Sequence, residues 1–230
     1  YGLDTVSEFR MLDTIDMLTK WHVMRDITPT FLGAHAIPSE YRGRTEAYVD
    51  LVINEMLPAV AVWHRRIRPR IYNAPERWIE PLETDALLPL FVDVFCEEGV
   101  FSVEQSQRIW ETARSYGMGI KAHVDEFKSL GGVTAEVQAG AVSVDHLDVT
   151  TDDEIRVLAA SNTIGVILPA VNFNLGSTHY ANARGMIDMG AAIALATDLN
   201  PGSAPCPSMP LVMAIACRYQ KLLPAEALNA

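Results

Sequence analysis

The chain has 230 residues, 49% of them hydrophobic and 20% charged, enough to bury a sizeable core within one globular domain and unlike a disordered or fibrous protein. Its 29 Asp and Glu outweigh 18 Lys and Arg, for a formal charge of -11, which argues against nucleic acid or an anionic membrane as the main partner, and an anionic substrate would need local positive charge. The 3 cysteines lie in no Cys-x-x-Cys pair, and no apolar run approaches the ~18 residues of a spanning helix, so reduced thiols, a cytoplasmic setting and neither signal peptide nor membrane segment are expected.

Met11, Leu12, Ile15 and Leu18 recur at helical spacing within Ser7 to Lys20, and Ile27 to Ala34 reads as a short strand ending at His35. Thr45 is a candidate cap for a helix whose apolar face is Tyr48, Leu51, Val52 and Met56, and Phe91 to Cys96 is the next strand. Ser102 to Gln105 has capping-box form before Ile109, Trp110 and Ala113, and Gly117 closes that helix ahead of a strand from Gly119 to Val124. Ala141 to His146 is a strand, Thr151 to Glu154 is a second capping box, and Thr163 to Leu168 is a strand. A helix over Ala181 to Met189 leads to a strand over Ala191 to Thr197, and Ser208 caps a last helix through Cys217.

Six strands alternating with helices predict parallel βαβ units with right-handed crossovers. A (β/α)8 TIM-type barrel, incomplete, with about six of its eight strands present, fits this rhythm best. A doubly wound sheet is the alternative, but no Gly-x-Gly-x-x-Gly follows a strand and there is no P-loop. The stretch 61–90, with His64-Arg65-Arg66-Ile67-Arg68-Pro69-Arg70 and Pro75, Pro81 and Pro89, is too basic and proline-rich for an ordinary connection and is predicted to be an insertion within the single domain 1–230. The chain opens on Tyr1 rather than Met and stops soon after Pro224 begins a helix, so a cut at both ends is expected.

The carboxyl ends of parallel strands are where ligands bind in such folds. Asp198 follows the last strand in Thr197-Asp198-Leu199-Asn200-Pro201-Gly202-Ser203, although an Asp there also caps turns. His123 and Glu126 end another strand and His146 a third, so imidazoles and carboxylates converge on one mouth, a donor set that suits zinc or ferrous iron. Glu126 is placed to shuttle a proton or hold a leaving nitrogen. His35 falls at a fourth strand end, within reach of a substrate carbonyl, whereas His22, His64 and His179 have no such placement. Cys96, beside Glu97 and Glu98, reads as buried and inert, and the two acids as caps of the following helix.

The segments Tyr1-Gly2-Leu3-Asp4, Pro29 to His35, Asp93 to Phe101, His123-Val124-Asp125-Glu126, Asp145-His146-Leu147, Thr197 to Gly202 and Ser208-Met209-Pro210 together resemble the imidazolonepropionases of the amidohydrolase superfamily. The resemblance implies a metal-dependent hydrolase of histidine degradation that opens the cyclic amide of 4-imidazolone-5-propanoate to N-formimidoyl-L-glutamate. It carries one Zn2+ or Fe2+/Fe3+ ion per subunit in a cytoplasmic homodimer. It makes His123 and Asp198 metal ligands, and Glu126, His146 and Asp198 catalytic. Tyr1, His35, Glu126, Asn200, Gly202 and Ser203 become substrate-binding. The family's other ligands, a His-x-His pair on the first barrel strand, have no counterpart here, nor do the arginine after them and the small β-domain. The chain is therefore expected to be a partial barrel, inactive alone. The alternatives are another amidohydrolase that deaminates or hydrolyses a heterocycle, and a non-catalytic remnant.

Overall fold

A computed structural model describes residues 2–20, 27–71 and 90–230. Six strands alternate with helices, and the chain divides into two compact units: Tyr1–Phe95 with Glu104–Ile120, and Cys96–Val103 with Lys121–Ala230.

The first unit begins with α1 (Thr5–Lys20), started by Asp4, whose carboxylate takes the Ser7 amide at 2.9 Å as an N-cap does. The buried stripe of α1 is Glu8, Leu12 and Asp16, while Met11, expected on the apolar face, is 49% exposed. An acid lies in this stripe because it is fully used: Glu8 accepts the Gly2 amide at 2.6 Å through one oxygen and the Leu32 amide at 2.9 Å through the other. Leu32 belongs to β1 (Thr30–Ala34), which pairs in parallel with β2 (Phe91–Cys96) through a register shift between Phe31 and Ala34. Gly33 sits in that irregular stretch, where a Cβ would lie 2.4 Å from Phe31 Cζ and 2.8 Å from Met56 Cε. Its carbonyl accepts the Tyr48 hydroxyl at 2.6 Å, and burial pushes the Tyr48 phenol above its ordinary range.

Tyr48 lies on α2 (Thr45–Leu51), which continues through a π-helical turn, Val52–Met56, into α3 (Leu57–Ile71). Thr45 is the first helical residue and Arg44 the cap, with no side-chain capping bond, so the expected Thr45 cap is corrected. Tyr48, Val52 and Met56 are buried as their spacing predicts. The stretch 61–90 begins inside α3: Ala61 and Trp63 are buried with the core, and Trp63 Nε1 donates to Asp13 Oδ1 of α1 at 2.9 Å. The rest of it, 72–89, lies outside the described residues, as do Tyr1 and His22. α4 (Val103–Ser115) buries Ile109, Trp110 and Ala113, and the amide of Gly119, at the start of β3 (Gly119–Val124), donates to the Leu90 carbonyl at 3.0 Å.

In the second unit β3, β4 (Ser143–His146), β5 (Ile164–Ile167) and β6 (Ile193–Leu195) pair in parallel in chain order, with His123 beside Asp145, Asp145 beside Val166 and Ile167 beside Leu195. β4, β5 and β6 are shorter than the apolar runs that predict them, while β3 matches its predicted limits. Between them lie α5 (Gly132–Ala139), α6 (Asp152–Ala159), α7 (Pro169–Asn174) and α8 (Ala183–Asp188), followed by α9 (Met209–Tyr219) and α10 (Pro224–Asn229). Thr151 caps α6 through the Glu154 amide and Ser208 caps α9 through the Leu211 amide, both as the sequence predicts. α5 went unforeseen because glycines bound it: its cap Gly131 and its terminator Gly140 both take left-handed backbone, at φ 82° and 76°. No helix among the described residues is long and apolar enough to cross a membrane.

If α3 is core from its first turns, Trp63→Ala leaves a large cavity and removes the bond to Asp13. Chemical denaturation of the full-length protein should then show a loss of about 3–5 kcal/mol.

Candidate active site

Parallel strands joined by right-handed crossovers bring their carboxyl ends to one side. In the second unit those ends carry Asp125 and Glu126 after β3, His146 and Asp148 at and after β4, and Asp198 and Asn200 after β6. The backbone there is unusual. Asp125 (φ 54°), His146 (φ 81°), Leu147 (φ 66°) and Asp198 (φ 48°) are four of the five non-glycine residues with positive φ among the described residues, the fifth being Lys221. Such backbone is strained for a side-chain-bearing residue and persists where the surroundings hold it. At His146 it changes what the strand delivers. Regular alternation would set His146 on the face of Val144, yet its ring lies 5.1 Å, centroid to centroid, from that of His123.

His146 Nε2 is 3.6 Å from Glu126 Oε2, and its Nδ1 is 4.0 Å from Asp148 Oδ2. The three side chains are almost dry, at 3%, 12% and 5% exposure for His146, Glu126 and Asp148. Burial is the first cause that pushes the Glu126 carboxyl up to about 7; His123 opposes the shift, and Asp148, Asp198 and Glu97 add to it. Burial likewise raises Asp148 to about 7, against hydrogen bonds from Asn172 and from the Ala181 amide, the latter at 3.1 Å. Asp125, also buried and close to the charges of Glu154 and Glu97, is raised to about 7. A carboxyl with this proton affinity gives and takes protons near neutrality.

Asp198 is fixed by its own loop. Asn200 Nδ2 donates to Asp198 Oδ2 at 3.1 Å, to the Asp198 carbonyl at 2.8 Å and to Ser203 Oγ at 3.0 Å, while Asn200 Oδ1 accepts the amides of Gly202 at 2.9 Å and Ser203 at 2.7 Å. A ligating carboxylate is characteristically oriented by such a bond. His123 offers an imidazole, and its ligand atom lies within 4.8 Å of the neighbouring Asp145 carboxylate. An imidazole beside a carboxylate is a donor pair that suits a zinc or iron ion.

The structure thus brings together His123, Glu126 and His146, and it builds Asn200, Gly202 and Ser203 into the loop that carries Asp198. His35 lies one residue past β1 in the first unit, its ring stacked on Phe95 at 5.4 Å. Tyr1 lies outside the described residues. His179 is exposed and Cys96 is buried, as expected. Sequence reasoning passed over Asp148 and Asp145, and it assigned Glu97 to a helix cap. Instead Glu97 reaches the loop after β3 and accepts the Phe127 amide at 3.0 Å. A signal for Asp148 was present in its place two residues beyond His146, past the end of the same strand.

By fold the chain is part of a (β/α)8 barrel. It superposes on a guanine deaminase from C. acetobutylicum at TM-score 0.66 and 13% identity, over 99% of this chain and 54% of that one. An amidohydrolase from a Sargasso Sea environmental sample gives TM-score 0.52 and 20% identity, over 76% and 39%. No family model matches. Along its whole length the sequence resembles proteins named imidazolonepropionase. It is 51% identical to that of Herpetosiphon aurantiacus and 50% to that of Chloroflexus aggregans, each over all 230 residues and 50% of the relative, and 41% to that of Alkaliphilus metalliredigens over 49% of the relative. The chain spans about half the length of these relatives, and the matched region includes 61–90.

Because Asp148 binds its proton more tightly folded than unfolded, the metal-free protein should lose stability as pH rises from its ordinary value, 3.8, through about 7. Asp148→Asn removes that proton from the balance. Unfolding free energies measured across this window should decline less steeply in the variant, by up to ~1.4 kcal/mol per pH unit.

Proposed function

We propose that the full-length protein containing this chain is a metal-dependent hydrolase that opens the ring amide of 4-imidazolone-5-propanoate to N-formimidoyl-L-glutamate, a step of histidine degradation. What carries the reading is the His123, Glu126 and His146 cluster at the ends of β3 and β4, in a sequence about half identical to proteins of that name. The chemistry follows from what a cyclic amide needs. Water adds to the carbonyl carbon, the C–N bond breaks, and the departing nitrogen takes up a proton.

Glu126 is the proton carrier in this reading. With its carboxyl near 7 it accepts the proton of the attacking water and returns it to the ring nitrogen. His146, 3.6 Å away, is placed to stabilise the carboxylate and the charge that develops on the substrate oxygen. His123 and Asp198 would hold one Zn2+ or iron ion per subunit. Such an ion, when bound, polarises a carbonyl and acidifies water. His35, Tyr1, Asn200, Gly202 and Ser203 are assigned to the substrate. Because Asn200 spends its amide inside the loop, it contributes by shaping the backbone around Gly202 and Ser203. The reading also takes the enzyme as a cytoplasmic homodimer and 1–230 as one partial barrel domain, with 61–90 as an insertion within it.

Three measurements on the full-length protein test it. Imidazolonepropanoate should be consumed with formation of formimidoylglutamate, whereas turnover of purines or pyrimidines in its place would favour a deaminase. Glu126→Gln should lower kcat about 10²–10⁴-fold with KM little changed. Elemental analysis should find one zinc or iron per subunit, lost together with activity in His123→Ala and Asp198→Ala; an active metal-free protein would refute the metal site.

A further inference from the structure

The buried carboxylate of Glu97 takes no proton in the reaction above, yet it is among the most heavily bonded side chains near it. Glu97 follows β2 and is 3% exposed. Its Oε2 accepts the amides of Phe127 at 3.0 Å and Lys128 at 3.3 Å, and its Oε1 accepts the Glu98 amide at 2.9 Å. The first two are the amides immediately after Glu126. On the other side of Glu126 stands Asp125, whose left-handed backbone ends β3. A second tie runs in parallel: the Lys128 ammonium pairs with Glu98, the residue after Glu97.

We propose that Glu97 is a positioning residue for Glu126: by clamping the main chain at Phe127 and Lys128 it fixes where the Glu126 carboxyl stands against His146 and His123. The inference rests on the reading of Glu126 as proton carrier. A carboxylate suits the task because both its oxygens accept, and charged hydrogen bonds to amides are about twice as strong as neutral ones. Glutamine has the same shape but only one accepting oxygen, and its NH2 would face an amide N–H. Proton carriers work over tenths of an ångström, so slack in this segment is expected to act on the chemical step rather than on binding.

The test uses Glu97→Gln, Glu97→Asp and, on the solvent-exposed tie, Glu98→Gln, all in the full-length protein. Glu97→Gln should lower kcat about 10–100-fold while KM stays within about twofold, with faster hydrogen exchange at the Phe127 and Lys128 amides. Glu97→Asp, which keeps two accepting oxygens, should recover part of kcat and of the amide protection, and it decides the question alone if Glu97→Gln does not fold. Glu98→Gln should leave kcat unchanged. Loss of amide protection with kcat intact overturns the proposal, and so does a fall in kcat matched by an equal loss of binding and of thermal stability. Failure of the proton-carrier reading is seen separately, as a Glu126→Gln enzyme that retains full kcat.

Discussion

His146 meets His123 and Glu126 because the chain turns left-handed at His146 and again at Leu147, a conformation that costs a non-glycine residue about 1–3 kcal/mol unless its surroundings impose it. Those surroundings are visible. The Leu147 amide donates to the Val124 carbonyl at 3.3 Å, and the Val149 amide donates to the Asp125 carbonyl at 3.0 Å, so the turn is stitched to the end of β3. Leu147 itself is 1% exposed, and β5 makes room for it with Gly165, where a Cβ would come within 2.9 Å of Leu147 Cδ1. A glycine one strand away is thus a condition for the position of a histidine ring in the site.

The same dryness that holds the turn sets the electrostatics. Asp125, Glu126 and Asp148 each keep a proton to about pH 7, chiefly because water is excluded from them. Negative charge is expensive there, and it can be relieved by protons, by imidazolium or by a cation. A site with this character favours reactions in which a proton is handed over and returned.

Much of this was legible in the sequence, for identifiable reasons. Buried parallel strands are near-continuous apolar runs, so Phe91 to Cys96 and Gly119 to Val124 were found at their observed limits. Polar caps are local, so Thr151 and Ser208 were found too. What escaped was chemistry that runs against the hydrophobic pattern. Glu8 and Asp16 occupy the buried stripe of α1, and Glu97 is buried beyond β2, because backbone amides distant in sequence meet Glu8 and Glu97. Positive φ at Asp125, His146 and Asp198 carries no compositional mark when the residue is not glycine. The histidines and acids of the site could be located at strand ends, but not the turn that brings the second histidine ring toward the first. The basic, proline-rich composition after Pro58 masked a helix that continues to Ile71 with Trp63 in the core.

Asn200 holds the loop after β6 together through side-chain bonds to Asp198, Gly202 and Ser203 and a backbone bond to the Ala204 carbonyl at 3.1 Å, all within four residues of itself. The shape of that loop is therefore insulated from the side chains on its outer surface, of which Leu199, 59% exposed, is the largest apolar one. Mutational drift at Leu199 can change the size and polarity of the rim without moving the acid beneath it. Divergence in what the rim admits is thereby uncoupled from the geometry that the acid must keep.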